Sequence, residues 1–553
     1  MNFIKFFEPP VVVAFYLLLA VALLPPVNRF VAGVFASMSR AKALAAAKKW
    51  KFAIFLLLSV GAAFAFRALQ VKYIFLGDVG IRPSQIEQGE IISDEYLSMC
   101  LLIRLYGYLH AAWEYTGLQT IQLVAYVTGG LFIFISLLTA DALGKTFLKK
   151  LACFTVATLS LAALMQFCGY AEIYTLALLF LQLYLYLCVL HLQGKIGVIF
   201  PAITLAVSIA VHHLLVCMVP SLIFLFYRSV LWKRPFFRKR STLIGLGVAA
   251  LPVIYYFVTR IAYRVMLPLS PGEKNLLTMF SVAHYKEFAN HLLQCGGFVS
   301  IVWVAVLLFY LLGKVKFAAL HWFYFIASGS ITGLMFVFNN IRGSGDWDII
   351  SFTAVVNNAL AIILLLNLHE RKVAKNIKYG VCAIAVFALL HTSFWIATNA
   401  SDKSIGWVEK AFEKDPANYY KGSFSNESML GAIFSSNNLK EKSLYWEKKA
   451  YQRHSNDPRT GFNYANVLIR EGKVDEAVKI YEASIDKFPA YALPYMQLVD
   501  IYLKNQSYEA LYRLLAKMEA VYKQDSSVFT SRFSQEQLSS CFDILRQLEP
   551  SFR

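Results

Sequence analysis

Acidic residues are scarce over most of this chain. About 14 of its 34 Asp and Glu precede residue 399, although 53 Lys and Arg leave the whole at a formal charge of +19. The stretch after 398 is nearly neutral, with about 21 basic and about 20 acidic residues, so the first part carries almost all of the excess. That excess is divided among short loops between apolar runs, which excludes a nucleic-acid patch and makes it an orientation signal. Eight cysteines are present, but all except Cys541 lie in or beside apolar segments, so neither a disulfide framework nor a metal-ligand spacing is read from them. The N-terminal run MNFIKFFEPP and the apolar stretch ending at Pro25-Pro26 lack a small-residue cleavage site and read as a span, not a removed signal. No repeat relates two halves of the chain, and acids fall at the ends of apolar runs, which disfavours a transporter.

Apolar runs are what the chain has in abundance. Hydrophobic residues make up 58% of the 553, mean hydropathy is +0.53, and many runs approach the roughly 20 residues that cross a bilayer. The expected fold is all-α and polytopic, with about twelve transmembrane helices near 11–28, 52–70, 119–139, 151–168, 173–191, 196–211, 213–228, 241–258, 297–313, 318–338, 350–368 and 377–397. Lysines and arginines at 29–51, 145–150, 195, 233–240, 314–316 and 371–378 fall in alternate loops, which the positive-inside rule places in the cytoplasm. Residues 71–118, 169–172, 259–296, 339–349 and everything after 398 are then extracytoplasmic. Spans 196–211 and 213–228 are short, which predicts a bent corner at His212-His213.

With this topology Asp78, Glu87, Glu90, Asp94, Glu95, Glu114, Glu172, Glu273, Glu287, Asp346 and Asp348 share the outer side, while Asp141 and Glu370 face inward. Positive-inside sorting places little demand on acids, so a polar site opening outward would explain the clustering. Its centre is the stretch 76–97, LGDVGIRPSQIEQGEIISDEYL, placed directly after a span. Outer cations are few. Arg82, Arg104, Arg260, Arg264 and Arg342 are candidates for a lipid phosphate, since the guanidinium fork matches phosphate geometry. His212, His213, Asp346 and Asp348 complete the candidate substrate-binding set, and Asp78 and Glu172 are the candidate catalytic acids. Blander readings stand beside these: Arg260 and Arg264 as snorkelling side chains, Glu172 as a hairpin tip, Trp347 as an interfacial anchor, His212-His213 as a capped bend. Segment 96–116 reads as an interfacial helix, and Glu90 as a solvated loop acid.

Four patterns in order, GDVG followed by DEYL, GYAEIY at 169–174, LLTMFSVAHYKEFANHLL at 276–293 and GSGDWDII at 343–350, resemble a bacterial group of GT-C-like membrane proteins with tetratricopeptide tails. The GT-C glycosyltransferases, protein O-mannosyltransferases among them, use polyprenyl-phosphate-linked sugars. The chain departs from the pattern at Val79 and Tyr96, where Gly and Pro are expected, and in a longer first outer loop. The resemblance implies that Asp78 acts as general base on an acceptor hydroxyl, or orients it, with polyprenyl phosphate as leaving group. It implies a multi-pass protein of a bacterial inner membrane, a lipid-linked sugar donor and a protein or glycan acceptor. Asp78, Glu172, Asp346 and Asp348 are also compatible with a divalent metal, Mg or Mn, although their spacing demands none.

After residue 398 the spans stop. From Pro458, residues Gly472, Ala477, Tyr481 and Pro489 fall where a 34-residue tetratricopeptide repeat wants its turn glycine, close-packing alanine, aromatic and terminal proline. A second unit starts near Ala492 with Tyr495, Leu498 and Tyr502, and WVEKAFEKDP at 407–416 resembles the end of an earlier one. The expected organisation is a transmembrane domain over 1–398 and an extracytoplasmic helical solenoid over 399–553 that binds a protein or peptide. Two functions remain open at this point: a glycosyltransferase, or a non-catalytic transport or assembly protein of the envelope whose solenoid recruits partners.

Overall fold

A computed structural model describes residues 43–73, 81–92, 95–231, 282–297, 316–337, 347–370, 377–414, 426–530 and 533–552, with scattered positions in 13–33 and 299–310. The expected spans at 241–258 and 297–313 lie wholly or largely outside them, and 11–28 is described only in part. The chain divides into two units, Met1–Val408 and Glu409–Arg553. Among the described residues every regular element is helical.

In the first unit these are α1 (Ala43–Ala68), α2 (Arg82–Gln88), α3 (Tyr96–Trp113), α4 (Gly117–Leu143), α5 (Phe147–Phe154), α6 (Tyr174–Leu192), α7 (Ile199–Val211), α8 (Val219–Leu231), α9 (Val282–Gly296), α10 (Ala319–Val337), α11 (Trp347–Glu370) and α12 (Ile377–Asn399). Six stretches are long and apolar enough to cross a membrane: Trp50–Ala68, Gly117–Leu143, Tyr174–Leu192, Ala319–Phe336, Asp348–Glu370 and Tyr379–Asn399. Two shorter apolar helices, Ile199–Val211 and His213–Ser229, accompany them. The chain is thus a multi-pass helical protein by length and composition, with six such helices among the described residues where twelve crossings were expected over the whole chain.

The stretch 151–168 differs from the straight helix expected of it. It runs as α5, a π-helical turn at Thr155–Leu159 and a 3-10 segment at Ala162–Phe167. Ser160 sits at the break. Its hydroxyl bonds back to the Val156 carbonyl and accepts the Asn358 amide at 2.7 Å, so an interhelical bond replaces regular helix geometry there. Nearly all of 155–179 is buried, as irregular backbone at membrane depth has to be.

Helix α11 is the axle of the unit. Residues 350–365 are buried on every face, and its two central amides tie neighbours to it. Asn357 bonds Ser328 and Thr332 of α10; Asn358 bonds Ser300 and Ser160. Such neutral polar pairs join helices where lipid offers no hydrophobic drive, each worth about 0.6 kcal/mol on average. Helix α1 packs on α4 through Gly129 and Gly130, where a side-chain carbon would come within 2.6 Å of Phe167 and 2.8 Å of the Ser59 carbonyl. The remaining face of α1, with Phe52, Leu57 and Phe64, is exposed and apolar, as a lipid-facing helix requires.

In the second unit, α14 (Asn426–Ser436), α15 (Lys440–Arg453), α16 (Pro458–Arg470), α17 (Val474–Lys487), α18 (Leu493–Lys504), α19 (Tyr508–Gln524), a single turn at Ser527–Thr530 and a last helix (Gln535–Phe552) follow α13 (Ser404–Lys414). Each helix from α14 to α19 packs on the next in the chain. Gly472, at φ +75°, makes the turn between α16 and α17; Ala477 and Tyr481 then fall in the core with Tyr495, Leu498 and Leu515. The residues that carry the 34-residue pattern therefore occupy a helix, a tight turn and a second helix.

Candidate functional site

Hydrogen bonds between helix ends show which ends lie together. The Val71 amide donates to Cys168 O at 2.9 Å, Lys72 N–H to Asn399 O at 3.1 Å, and Ser98 Oγ to Val211 O at 2.9 Å. Glu87 Oε1 accepts the Gly117 amide at 2.7 Å, and a Cβ on Gly117 would come within 2.4 Å of Pro83 O, so the 81–117 loop is folded onto the start of α4. This end gathers the starts of α3, α4, α6 and α11 and the finishes of α1, α7 and α12. Helix starts carry partial positive charge and unsatisfied N–H groups, so their convergence favours anions.

The buried ionisable groups of this end come from separate segments. Arg82 opens α2 beside Pro83, which fixes the first turn, and Glu95 stands at the N-cap of α3. The Arg82 guanidinium lies 3.1 Å from Glu95 Oε2 and donates to Gln85 Oε1 at 3.1 Å; Glu95 Oε1 is 3.5 Å from His212 Nε2. Their side chains are between 5% and 9% exposed, so three ionisable groups are withdrawn from water together. His212 is the expected corner. It ends α7 in an extended conformation and its Nδ1 accepts the Leu214 amide at 3.1 Å, capping the 3-10 turn His213–Met218. Because Nδ1 accepts, the neutral ring carries its proton on Nε2, the atom that faces Glu95.

An aromatic hub joins this triad to two further acids. The His212 ring is 5.1 Å from Tyr174 and 6.3 Å from Phe352, and Tyr174 is 6.1 Å from Phe352. Glu172, 2% exposed, lies two residues before Tyr174; Asp348, 3% exposed, lies one helical turn before Phe352. Asp348 Oδ1 accepts the Ile349 amide at the start of α11, and Gln166 Nε2 donates to Asp348 O and Ser351 Oγ, both at 2.9 Å. The 3-10 segment before Glu172 is thereby clamped to the start of the helix that carries Asp348.

Arg104 is exposed on α3, and His213 stacks on His212 at 4.9 Å. Asp78, Arg260, Arg264, Arg342 and Asp346 lie outside the described residues. Of the four carboxylates considered for a metal, Glu172 and Asp348 are described, and among the described residues no group of three or more His, Cys, Asp or Glu is placed to hold an ion.

No protein-family profile and no curated protein matches the chain. Among the solved structures similar to it are two of ArnT from Cupriavidus metallidurans. The one bound to undecaprenyl phosphate is 12% identical, with a TM-score of 0.41 over 65% of this chain and 79% of that one. The apo structure is 12% identical, with a TM-score of 0.41 over 67% of this chain and 80% of that one. Likeness at this level leaves the assignment to the residues themselves.

Glu95 was not singled out from its neighbours by the sequence. The loop it ends contains Glu87, Glu90, Asp94 and Glu95 within nine positions, and composition does not say which is buried. Its place just before the helical periodicity of 96–113 was the available sign, because a negative charge is favoured beside a helix start, although the Glu95 side chain makes no capping hydrogen bond there. Glu90, by contrast, is exposed as expected.

Proposed function

We propose that the chain is a membrane glycosyltransferase of the GT-C type, which moves a sugar from a polyprenyl-phosphate carrier to a protein or envelope glycan or lipid acceptor at the extracytoplasmic face. The observation that carries this reading is the gathering of Glu95, Glu172 and Asp348, with Arg82 and His212, at one end of a multi-pass bundle where several helices begin. Buried ionisable groups at the end of a membrane helix bundle are expensive and mark a substrate site. In this reading Asp78 is the general base or orients the acceptor hydroxyl, Glu172 assists it, and Arg260, Arg264, Arg342 and the helix starts receive the phosphate, with Arg104 and His213 at its edge. Phosphate already leaves readily, so positioning and charge stabilisation suffice for catalysis. Mg or Mn held by Asp78, Glu172, Asp346 and Asp348 belongs to the same proposal.

The Glu409–Arg553 unit is read as a tetratricopeptide-like solenoid that holds the acceptor or a partner protein, and the membrane as a bacterial inner membrane with that unit outside. A transport role is less well supported: the polar groups in the middle of α11 are neutral asparagines bonded to serines and threonines, not the mid-membrane acids of an ion or substrate path.

The deciding experiment is transfer from a polyprenyl-phosphate-linked sugar by purified protein in lipid nanodiscs. Asp78→Asn is expected to remove transfer while expression and folding stay near normal, and Glu90→Gln to be nearly silent. Near-normal turnover by Asp78→Asn would end this assignment of the base, and absence of transfer by the unaltered protein with every donor tried would move the reading to the non-catalytic role.

A further inference from the structure

We propose that Glu95 is a positioning residue of the site, the group through which the first outer loop is fixed to the His212 corner and so to the helices that carry Glu172 and Asp348. One carboxylate is shared between two segments more than a hundred positions apart, Oε2 with Arg82 at 3.1 Å and Oε1 with His212 at 3.5 Å. A second tie joins the same segments one turn later, where Ser98 Oγ donates to Val211 O at 2.9 Å. The first turn of α3 is thus stitched to the end of α7 at two points on one helix face.

What Glu95 holds is defined in orientation as well as place. The Leu214 amide occupies His212 Nδ1, so the imidazole turns Nε2–H toward Glu95, whose Oε1 lies 3.5 Å away as its charged neighbour. The ring then rests against Tyr174 and Phe352, two residues from Glu172 and one turn from Asp348. A shift at Glu95 therefore reaches both acids through packed aromatic groups. A buried ion pair is weak evidence of stability, because desolvation offsets much of the attraction. Its benefit here is geometric: it sets where the loop sits against the corner.

The inference rests on the glycosyltransferase reading for its kinetic consequence only, so the test has two arms on the full chain in nanodiscs. In the first, hydrogen exchange is followed in Glu95→Gln, Glu95→Asp and Ser98→Ala. Glu95→Gln is expected to speed exchange about tenfold or more in both 81–92 and 212–218, with 117–143 and 174–192 unchanged. Change confined to 81–92 overturns the proposal. In the second, Glu95→Gln is expected to lower kcat about 10- to 100-fold with KM within about twofold, the signature of misplaced groups, while Glu90→Gln, at an exposed acid of the same loop, stays within about threefold of the unaltered protein. Equal kcat for Glu95→Gln and unaltered protein likewise overturns it. Should Glu95→Gln fail to fold, Glu95→Asp, which keeps the charge but is one methylene too short to reach both partners, carries the same expectations at smaller size. If the unaltered protein transfers no sugar, the functional reading fails, and the exchange arm still decides whether Glu95 couples the loop to the corner.

Discussion

At one end of the Met1–Val408 unit Asp141 is flanked by Lys51 at 2.7 Å and by Lys150, and Glu370 by Lys149 at 2.6 Å and Lys145 at 3.9 Å. At the other end Glu95, Glu172 and Asp348 are 4%, 2% and 3% exposed, and Glu95 faces Arg82 in a close ion pair. The first arrangement keeps acids wet, with side chains 19% and 42% exposed, and surrounds them with the lysines that orient a membrane chain. The second takes acids out of water beside helix starts. Charge left in solvent is screened and costs little; burying it carries a desolvation cost, for which the proposed site would account.

The largest break in that comparison should come from the buried acids. Glu172→Gln and Asp348→Asn are each expected to lower sugar transfer by about 100- to 10,000-fold, the range for loss of a proton-transfer or charge-stabilising group. Turnover is the measurement, with thermal unfolding of the same samples to show that the fold survives. Retention of more than about a third of turnover by both variants would return these acids to a structural role.

The Glu409–Arg553 unit offers the same contrast in a setting where pH can report it. Burial pushes the Glu447 carboxyl up to about 8, against the opposing influence of Arg470 and a Ser428 hydrogen bond. Burial also acts on Glu427, but its backbone hydrogen bond, Arg453 and His454 outweigh it and hold that carboxyl below the usual range. The signs are opposite. Glu447 binds its proton more tightly folded than unfolded, so its contribution is fully present below about 4.5 and declines as pH rises toward 8, by up to a few kcal/mol. Glu427 contributes above the ordinary carboxylate range and loses its contribution as pH falls through its lowered value. Glu447→Gln is expected to stabilise α15 at pH 8 relative to the unaltered chain and to flatten the decline between pH 5 and 8. Hydrogen exchange in 440–453, corrected for the intrinsic rate at each pH, measures it; an unchanged slope would remove the buried-proton explanation.

Topology sharpens the contrast between the two ends. Cysteines placed at Ser84 and Ser455 are both expected to react with a membrane-impermeant reagent in intact cells, and a cysteine at Lys145 is expected to be protected. Labelling of one of the first two alone would separate the acid end from the tail.

Much of this arrangement was legible in the chain. Apolar runs near 20 residues located the long helices, the lysine clusters separated Asp141 and Glu370 from the other acids, and Gly472, Ala477 and Tyr481 kept the spacing of a helix-turn-helix unit. The broken stretch at 155–167 was not legible, because α, π and 3-10 turns share one apolar composition and the break depends on Asn358, 198 positions from Ser160. Glu95 was hidden for the same kind of reason. That Glu95 is buried while Glu87 and Glu90 are exposed is settled by Arg82 on one side and by His212, far along the chain, on the other.

The smallest effect belongs to the lysine end. Glu370 is 42% exposed, and its partners Lys149 and Lys145 are 20% and 80% exposed, so water screens the pair and only part of the Coulomb attraction survives. Exposed pairs of this kind are worth about 0–1 kcal/mol. Glu370→Gln is therefore expected to change thermal stability by less than about 1 kcal/mol and turnover by less than about twofold. Salt separates this from a hidden functional role: screening should shrink the stability difference further between 0.05 and 0.5 M, because the Debye length falls from above the pair separation toward it. If Glu370→Gln instead removed transfer, the division between wet acids that balance orienting lysines and buried acids proposed to do chemistry would fail at its simplest point, and the lysine end would have to be read as a second site.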